Sequence, residues 1–206
     1  ADAELTFVTR HAATLDVSKI ETIPEESGPR LSIAIPLPKA SRAGWLIEKS
    51  VELGVTKIIP LKTARSIVDP RSTKLDTLRQ NIIAASKQCG RSRLMTISPV
   101  VEWADLLKKE SVGKSVMVAH PGGASFTGSL ITESLTEVAS EAKTKKAAEN
   151  PEMIAVIGPE GGLTVEEITQ AVSKGARLVS LGPRLLRVET AAAMMASVFV
   201  SAQLAE

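Results

Sequence analysis

From Leu31 onward, short runs of apolar residues alternate with longer stretches whose apolar positions recur at helical spacing. The runs at 31–35, 57–61, 94–98, 115–119, 153–157 and 177–181 read as strands, and the stretches near 42–53, 74–88, 103–109, 129–147, 164–174 and 189–204 read as helices. Met153 to Ile157 is apolar throughout, the pattern of a strand buried on both faces. Strand followed by helix, repeated along the chain, predicts an α/β fold with a mainly parallel sheet and helices on both faces. Residues before Leu31 follow another rule. Leu5 to Val8 and Thr14 to Val17 read as short strands, and Ile20 to Pro29 is acidic and proline-containing, as a linker is. These strands are too few for a core of their own, so they either pack on the main domain or form the tail of a small β domain.

Three of the predicted strands end in loops rich in glycine and proline. Ile157 is followed by Gly158, Pro159, Glu160, Gly161 and Gly162, and Thr164 with Glu167 three residues later is a capping box that starts the next helix. Glycines between a strand's carboxyl end and a helix's amino end let a ligand approach bare backbone, at the edge where open α/β sheets bind ligands. The same glycines also suit a tight turn with no ligand. Leu181 is likewise followed by Gly182 and Pro183, then by Arg184 and Arg187, and Ala119 by His120, Pro121, Gly122 and Gly123. Three such loops can wall one pocket, in which His120 is either a general base or a hydrogen-bonding residue. Glu189 to Leu204 is apolar nearly all round, so this helix is buried inside the fold or at a subunit interface. It is too short and too interrupted by Ser, Thr and Gln for a membrane span.

A length of 206 residues suits one large domain or one domain with a small appendage. Charged residues make up 23% but the net charge is +2, so a polyanionic partner must be met by local patches. No Tyr, three Phe and two Trp argue against a base-stacking platform. One Cys and two His leave no internal disulfide and no zinc-ligand pattern, and they suit a reducing, cytoplasmic setting. Cys89, at a predicted helix end, reads as a packing residue. The amino end does not read as a signal peptide. No dinucleotide fingerprint, Walker lysine or nucleophile elbow is present.

Four blocks go further: Trp45 to Pro60 (WLIEKSVELGVTKIIP), Lys87 to Arg91 (KQCGR), Ile157 to Gly162 (IGPEGG) followed by Glu166 and Glu167, and Leu181 to Ala191 (LGPRLLRVETA). Together and in this order they closely resemble the RsmE family, knotted SPOUT-superfamily methyltransferases acting on N3 of a uridine in small-subunit ribosomal RNA. The resemblance covers residues 31–204. It departs at Lys87, where many members have Glu, and at the Pro-Gly-Gly after His120, where a Glu is common.

The resemblance implies S-adenosylmethionine as methyl donor, a C-terminal trefoil knot, a homodimer, no metal and no membrane. It makes residues 29–206 the SPOUT domain and residues 1–28 the last part of a PUA-like RNA-binding β domain. The donor would then be held by His120, Ile157, Gly158, Gly161, Gly162, Leu181, Gly182, Leu185 and Leu186, largely through backbone groups. Uridine N3 is a poor nucleophile until it loses its proton, so a base or an anion-stabilising cation is required. Arg184 and Arg187 are the candidates for holding phosphate or the developing anion, against plain pairing with Glu189 or helix carbonyls. Glu160 is a candidate to accept a proton or bind the donor, or else only a helix-dipole partner. Arg65, Arg91 and Arg93, with Arg71 and Lys74, extend an RNA track if they share a face. Two other readings stay open: a non-catalytic RNA-binding module, which would not bind the donor, and a small-molecule transferase, which would not bind structured RNA.

Overall fold

The computed structural model describes residues 2–20, 28–66, 72–144 and 151–204. Strands β1 (Asp2–Val8) and β2 (Ala13–Lys19) form an antiparallel hairpin, with Leu5 opposite Leu15 and Ala3 opposite Val17. Then follow β3 (Arg30–Ile35), α1 (Ala40–Glu52), β4 (Lys57–Lys62), α2 (Ser72–Cys89), β5 (Thr96–Ile97), β6 (Val101–Glu102) and the short α3 (Trp103–Asp105). The chain continues through β7 (Ser115–Ser125), α4 (Gly128–Thr144), β8 (Glu152–Val156), α5 (Val165–Ser173), β9 (Arg177–Ser180) and α6 (Val188–Gln203). The order across the main sheet is β5-β4-β3-β8-β7-β9, with β6 on the far end of β4, and every pairing in it is parallel.

Side chains alternate along each strand, yet both sets are buried, which is why the strands read as unbroken apolar runs. Ile33, Ile35, Met117, Met153 and Ala155 face a large core closed by α1, α2, α4 and α6. Ala34, Ile59, Val118, Ile154 and Val156 face a smaller one closed by Trp103, Leu106 and Leu107 and by Ala171 of α5. Helices thus cover both faces, as the alternation predicts.

Three elements differ from the sequence expectation. The run at 94–98 pairs only at Thr96 and Ile97, because Pro99 offers no amide to the ladder and pairing resumes only at Val101. The helix expected at 103–109 makes one α turn and then widens into a π turn over Leu106–Glu110, which buries the consecutive leucines Leu106 and Leu107. The strand expected to stop at Ala119 bulges at 120–123 and pairs with β9 again at Ala124 and Ser125. Gly123 permits this, since a Cβ there would collide with the backbone of Leu178 and Val179.

The hairpin is exposed along both strands, so it is not packed into the main core. Most of the acidic stretch expected as a linker, 21–27, lies outside the described residues, as do Arg71 and the basic end of the stretch at 145–147. Helix α6 buries Ala192, Met195, Ala196 and Phe199 inside its own chain, against α1, α4 and β3. Its apolar surround is therefore largely explained without a partner, and a charge at Met195 would attack the core rather than an interface. Truncating Met195 or Phe199 to Ala should cost about 2–5 kcal/mol in urea unfolding, whereas the exposed Met194→Ala should change stability by less than about 0.5 kcal/mol.

Candidate active site

Strand β9 pairs with β7 at one end of the sheet, yet α6, which follows it, packs on α1 and β3. The intervening segment, 181–187, must come back across the carboxyl ends of β7 and β8. A cavity of about 430 Å3 lies under this crossing. Its walls are the bulge of β7 (Ala119, His120, Pro121), the loop after β8 (Ile157, Gly158, Pro159, Glu160, Gly162, Leu163) and the crossing itself (Leu181, Gly182 and Arg184 to Val188), with Ala191 of α6. His120, Ile157, Gly158, Glu160, Gly162, Leu181, Gly182, Arg184, Leu185, Leu186 and Arg187 are thus brought together from the β7 bulge and the ends of β8 and β9.

Gly161 is the exception. A Cβ on it would meet the aliphatic part of Arg65, not the cavity, and its carbonyl accepts a 2.7 Å hydrogen bond from the Arg65 guanidinium. The other glycines have local reasons. Gly162 has φ +69° and its N–H donates to the Pro159 carbonyl at 2.8 Å, closing the turn. Gly182 has φ +103°, a backbone that L residues rarely adopt. A Cβ on Gly158 would approach the Leu163 side chain at 3.1 Å.

The capping box forms as the sequence predicts. The Thr164 amide donates to Glu167 Oε2 at 2.8 Å and the Glu167 amide to Thr164 Oγ1 at 3.2 Å. The buried Glu167 carboxylate does more: Oε1 accepts the Ala64 amide at 2.8 Å, tying the loop after β4 to the start of α5. Neighbouring Glu166 accepts from its own amide and from Thr164, which hold its carboxyl below the usual range.

His120 Nδ1 accepts the Gly122 amide at 3.0 Å, so in the neutral ring the proton is on Nε2. Arg184 and Arg187 are exposed, and neither makes an ion pair or side-chain hydrogen bond with another described residue. The pairing with Glu189 considered from sequence does not form; Glu189 faces Arg42 instead, at 3.7 Å. Arg42 was invisible to motif reading because one partner, Glu160, lies 118 residues away in sequence.

One RNA track through Arg65, Arg91 and Arg93 is conditional on a shared face, and these residues lie at opposite ends of the strands. Arg65 follows the carboxyl end of β4, whereas Arg91 and Arg93 line a groove of about 720 Å3 at the amino-terminal edge of the sheet, with Arg30 and Lys57. Arg91 donates there to the carbonyls of Val51, Gly54 and Val55, closing the end of α1. That groove is larger than the glycine-walled cavity, but its charged walls are paired: Lys57 with Glu110 at 2.8 Å and Glu152 with Lys114 at 3.0 Å. The Lys57 hydrogen bond holds the Glu110 carboxyl below the usual range. Volume is therefore a poorer guide than convergent backbone and chemistry.

A profile of the family described as RNA methyltransferase domain matches residues 25–200. The chain belongs to this family. It is 31% identical over 174 residues to ribosomal RNA small subunit methyltransferase E of Synechocystis sp., covering 84% of this chain and 54% of that protein. It is 32% identical over 170 residues to the Bacillus subtilis protein of the same name, covering 79% and 62%. The chain thus spans 54% and 62% of the length of these relatives. The crystal structure of ribosomal RNA small subunit methyltransferase E from Neisseria gonorrhoeae bound to S-adenosyl methionine is similar with a TM-score of 0.76 at 26% identity, covering 98% of this chain and 77% of that one. The RsmE resemblance of the four sequence blocks is borne out.

Replacing Glu167 with Ala removes a cap and leaves the Ala64 amide without its acceptor. The loss should be about 1–3 kcal/mol in chemical unfolding, with Glu167→Gln recovering part of it.

Proposed function

We propose that this chain carries the methyl-transfer site of an S-adenosylmethionine-dependent enzyme that methylates N3 of a uridine in small-subunit (16S) ribosomal RNA. The observation that carries the reading is the cavity walled by the β7 bulge and the loops after β8 and β9, beside two arginines committed to nothing else among the described residues. Its volume falls within the ordinary range for small-molecule sites, about 300–1,000 Å3. Its wall suits a nucleoside-bearing donor: apolar side chains of Ala119, Ile157, Leu163, Leu181 and Leu186 alternate with backbone opened by Gly158, Gly162 and Gly182. The bound donor supplies an electrophilic methyl on sulfur, so no metal is required.

The chain's own residues have three tasks in this reaction. Backbone at 157–162 and 181–186, with Leu185 and the His120 ring, binds and orients the donor. Close alignment of methyl carbon and nitrogen is the main kinetic gain, because transfer within a bound complex avoids the entropy cost of collision. Arg184 and Arg187, at the mouth, stabilise the uridine anion left when N3 gives up its proton to solvent, or hold a flanking phosphate. Arg65, Arg91 and Arg93 meet RNA as separate patches on two sheet edges, not as one track.

The same reading gives the larger frame. Residues 1–28 form part of a PUA-like RNA-binding domain, and residues 29–206 form the SPOUT domain. This reading makes 181–187, which crosses the strand ends, part of a trefoil knot. The exposed Met194 of α6 and Trp45 of the adjacent α1 belong to a homodimer interface. The partner is the small ribosomal subunit, in the cytoplasm; no helix among the described residues is long and apolar enough to cross a membrane.

Isothermal titration should show saturable S-adenosylmethionine binding by the wild type and at least a tenfold loss in Gly182→Val, because the new side chain is strained at φ +103° and stands in the cavity wall. Normal binding by that variant would place the donor elsewhere. In single-turnover methyl transfer to small-subunit ribosomal RNA, Arg187→Ala should slow the chemical step by about 100-fold or more while RNA affinity falls far less. An equal fall in both would make Arg187 a phosphate contact.

A further inference from the structure

Arg42, in the first turn of α1, stands between two carboxylates from different walls of the cavity. Its Nη2 is 3.4 Å from Glu160 Oε1, on the loop after β8, and its Nη1 is 3.7 Å from Glu189 Oε2, in the first turn of α6. Glu160 itself lines the cavity, and Glu189 lies between two lining residues, Val188 and Ala191. The Glu189 residue is only 6% exposed, and its Oε2 has no hydrogen-bond partner among the described residues. A buried anionic oxygen with no hydrogen bond leaves its charge to the nearest cation, and that cation is Arg42.

One guanidinium between the half-exposed Glu160 and the buried Glu189 draws both carboxylates to the same point, where the two would otherwise repel. We propose that Arg42 is a positioning residue for donor binding: by bridging Glu160 to Glu189 it sets the spacing of the 158–163 loop and the start of α6, and so the width of the cavity. This rests on the reading of that cavity as the donor site. It gives Glu160 a role other than proton acceptor, because the carboxylate serves as the handle by which α1 holds the loop. Preorganising both walls lowers the ordering cost of binding, so the clasp acts on affinity and not on the chemical step.

The test uses Glu160→Gln, which keeps the shape and leaves the Arg42 and Glu189 pair intact. A second variant, Arg42→Ala with Glu189→Gln, removes the cation without stranding a buried charge. Hydrogen exchange without ligand reads the clasp itself, and donor titration reads its consequence. Both variants should stay folded, exchange faster at 158–163 and bind S-adenosylmethionine about 5- to 10-fold more weakly, with KM for the donor raised and kcat unchanged. Adding Glu160→Gln to the second variant should change nothing more. A folded Glu160→Gln with unchanged exchange and affinity would overturn the proposal, as would a fall in kcat at unchanged KM, which would make Glu160 the proton acceptor. A wild type that binds no donor, with loosened exchange in the variants, would contradict the donor-site reading and leave the clasp standing.

Discussion

The burial of α6 against α1 and β3 is the constraint on which the site depends. Val188, Met195 and Phe199 leave water only if the chain returns from the edge strand β9 to the middle of the sheet, and burying each such side chain contributes about 1.5–3 kcal/mol. That return forces 181–187 over the carboxyl ends of β7 and β8. The cavity is thus a consequence of core packing: its outer wall is held in place by the helix that follows it. The small residues Ala192 and Ala196, both fully buried, keep this helix close to its neighbours, and Gly128 of α4 approaches the Ala202 side chain.

The inner wall is fixed by hydrogen bonds as well as by the packing of Ile157 and Leu163. Glu167 joins the cap of α5 to the Ala64 amide, Arg65 holds the Gly161 carbonyl, and the Gly162 turn closes on Pro159. The Ala64 and Arg65 contacts come from the loop after β4 and grip the loop from outside. The backbone on its inner side stays open to a ligand. A loop so held is ordered before anything binds, which is what a backbone-lined site requires.

How much of this was legible follows from which interactions are local in sequence. Uniform apolar runs revealed the parallel strands because both faces are buried, and Thr164 with Glu167 revealed the start of α5 because a capping box spans three residues. The apolar surround of α6 showed that the helix is buried but not against what, since periodicity carries no identity of the partner. Pro121-Gly122-Gly123 read as a strand end although Gly123 is what lets β7 run on beside β9; close approach by a distant backbone leaves no local trace. The glycine pair announced a site, yet which of Gly161 and Gly162 faces the cavity depends on Arg65, far away in sequence. Arg42, Glu189 and the second task of Glu167 were hidden for the same reason. The two sets of arginines looked alike as sequence and lie on opposite edges of the sheet.

The central claim is that the donor binds under the crossing and not in the larger groove at the other edge. Hydrogen exchange of the wild-type chain with and without S-adenosylmethionine tests it most directly, because the two sites share no lining residue. Protection confined to 119–122, 157–163 and 181–188 is the predicted result. Protection at 51–57 and 91–96 with no change at 157–163 would contradict the account.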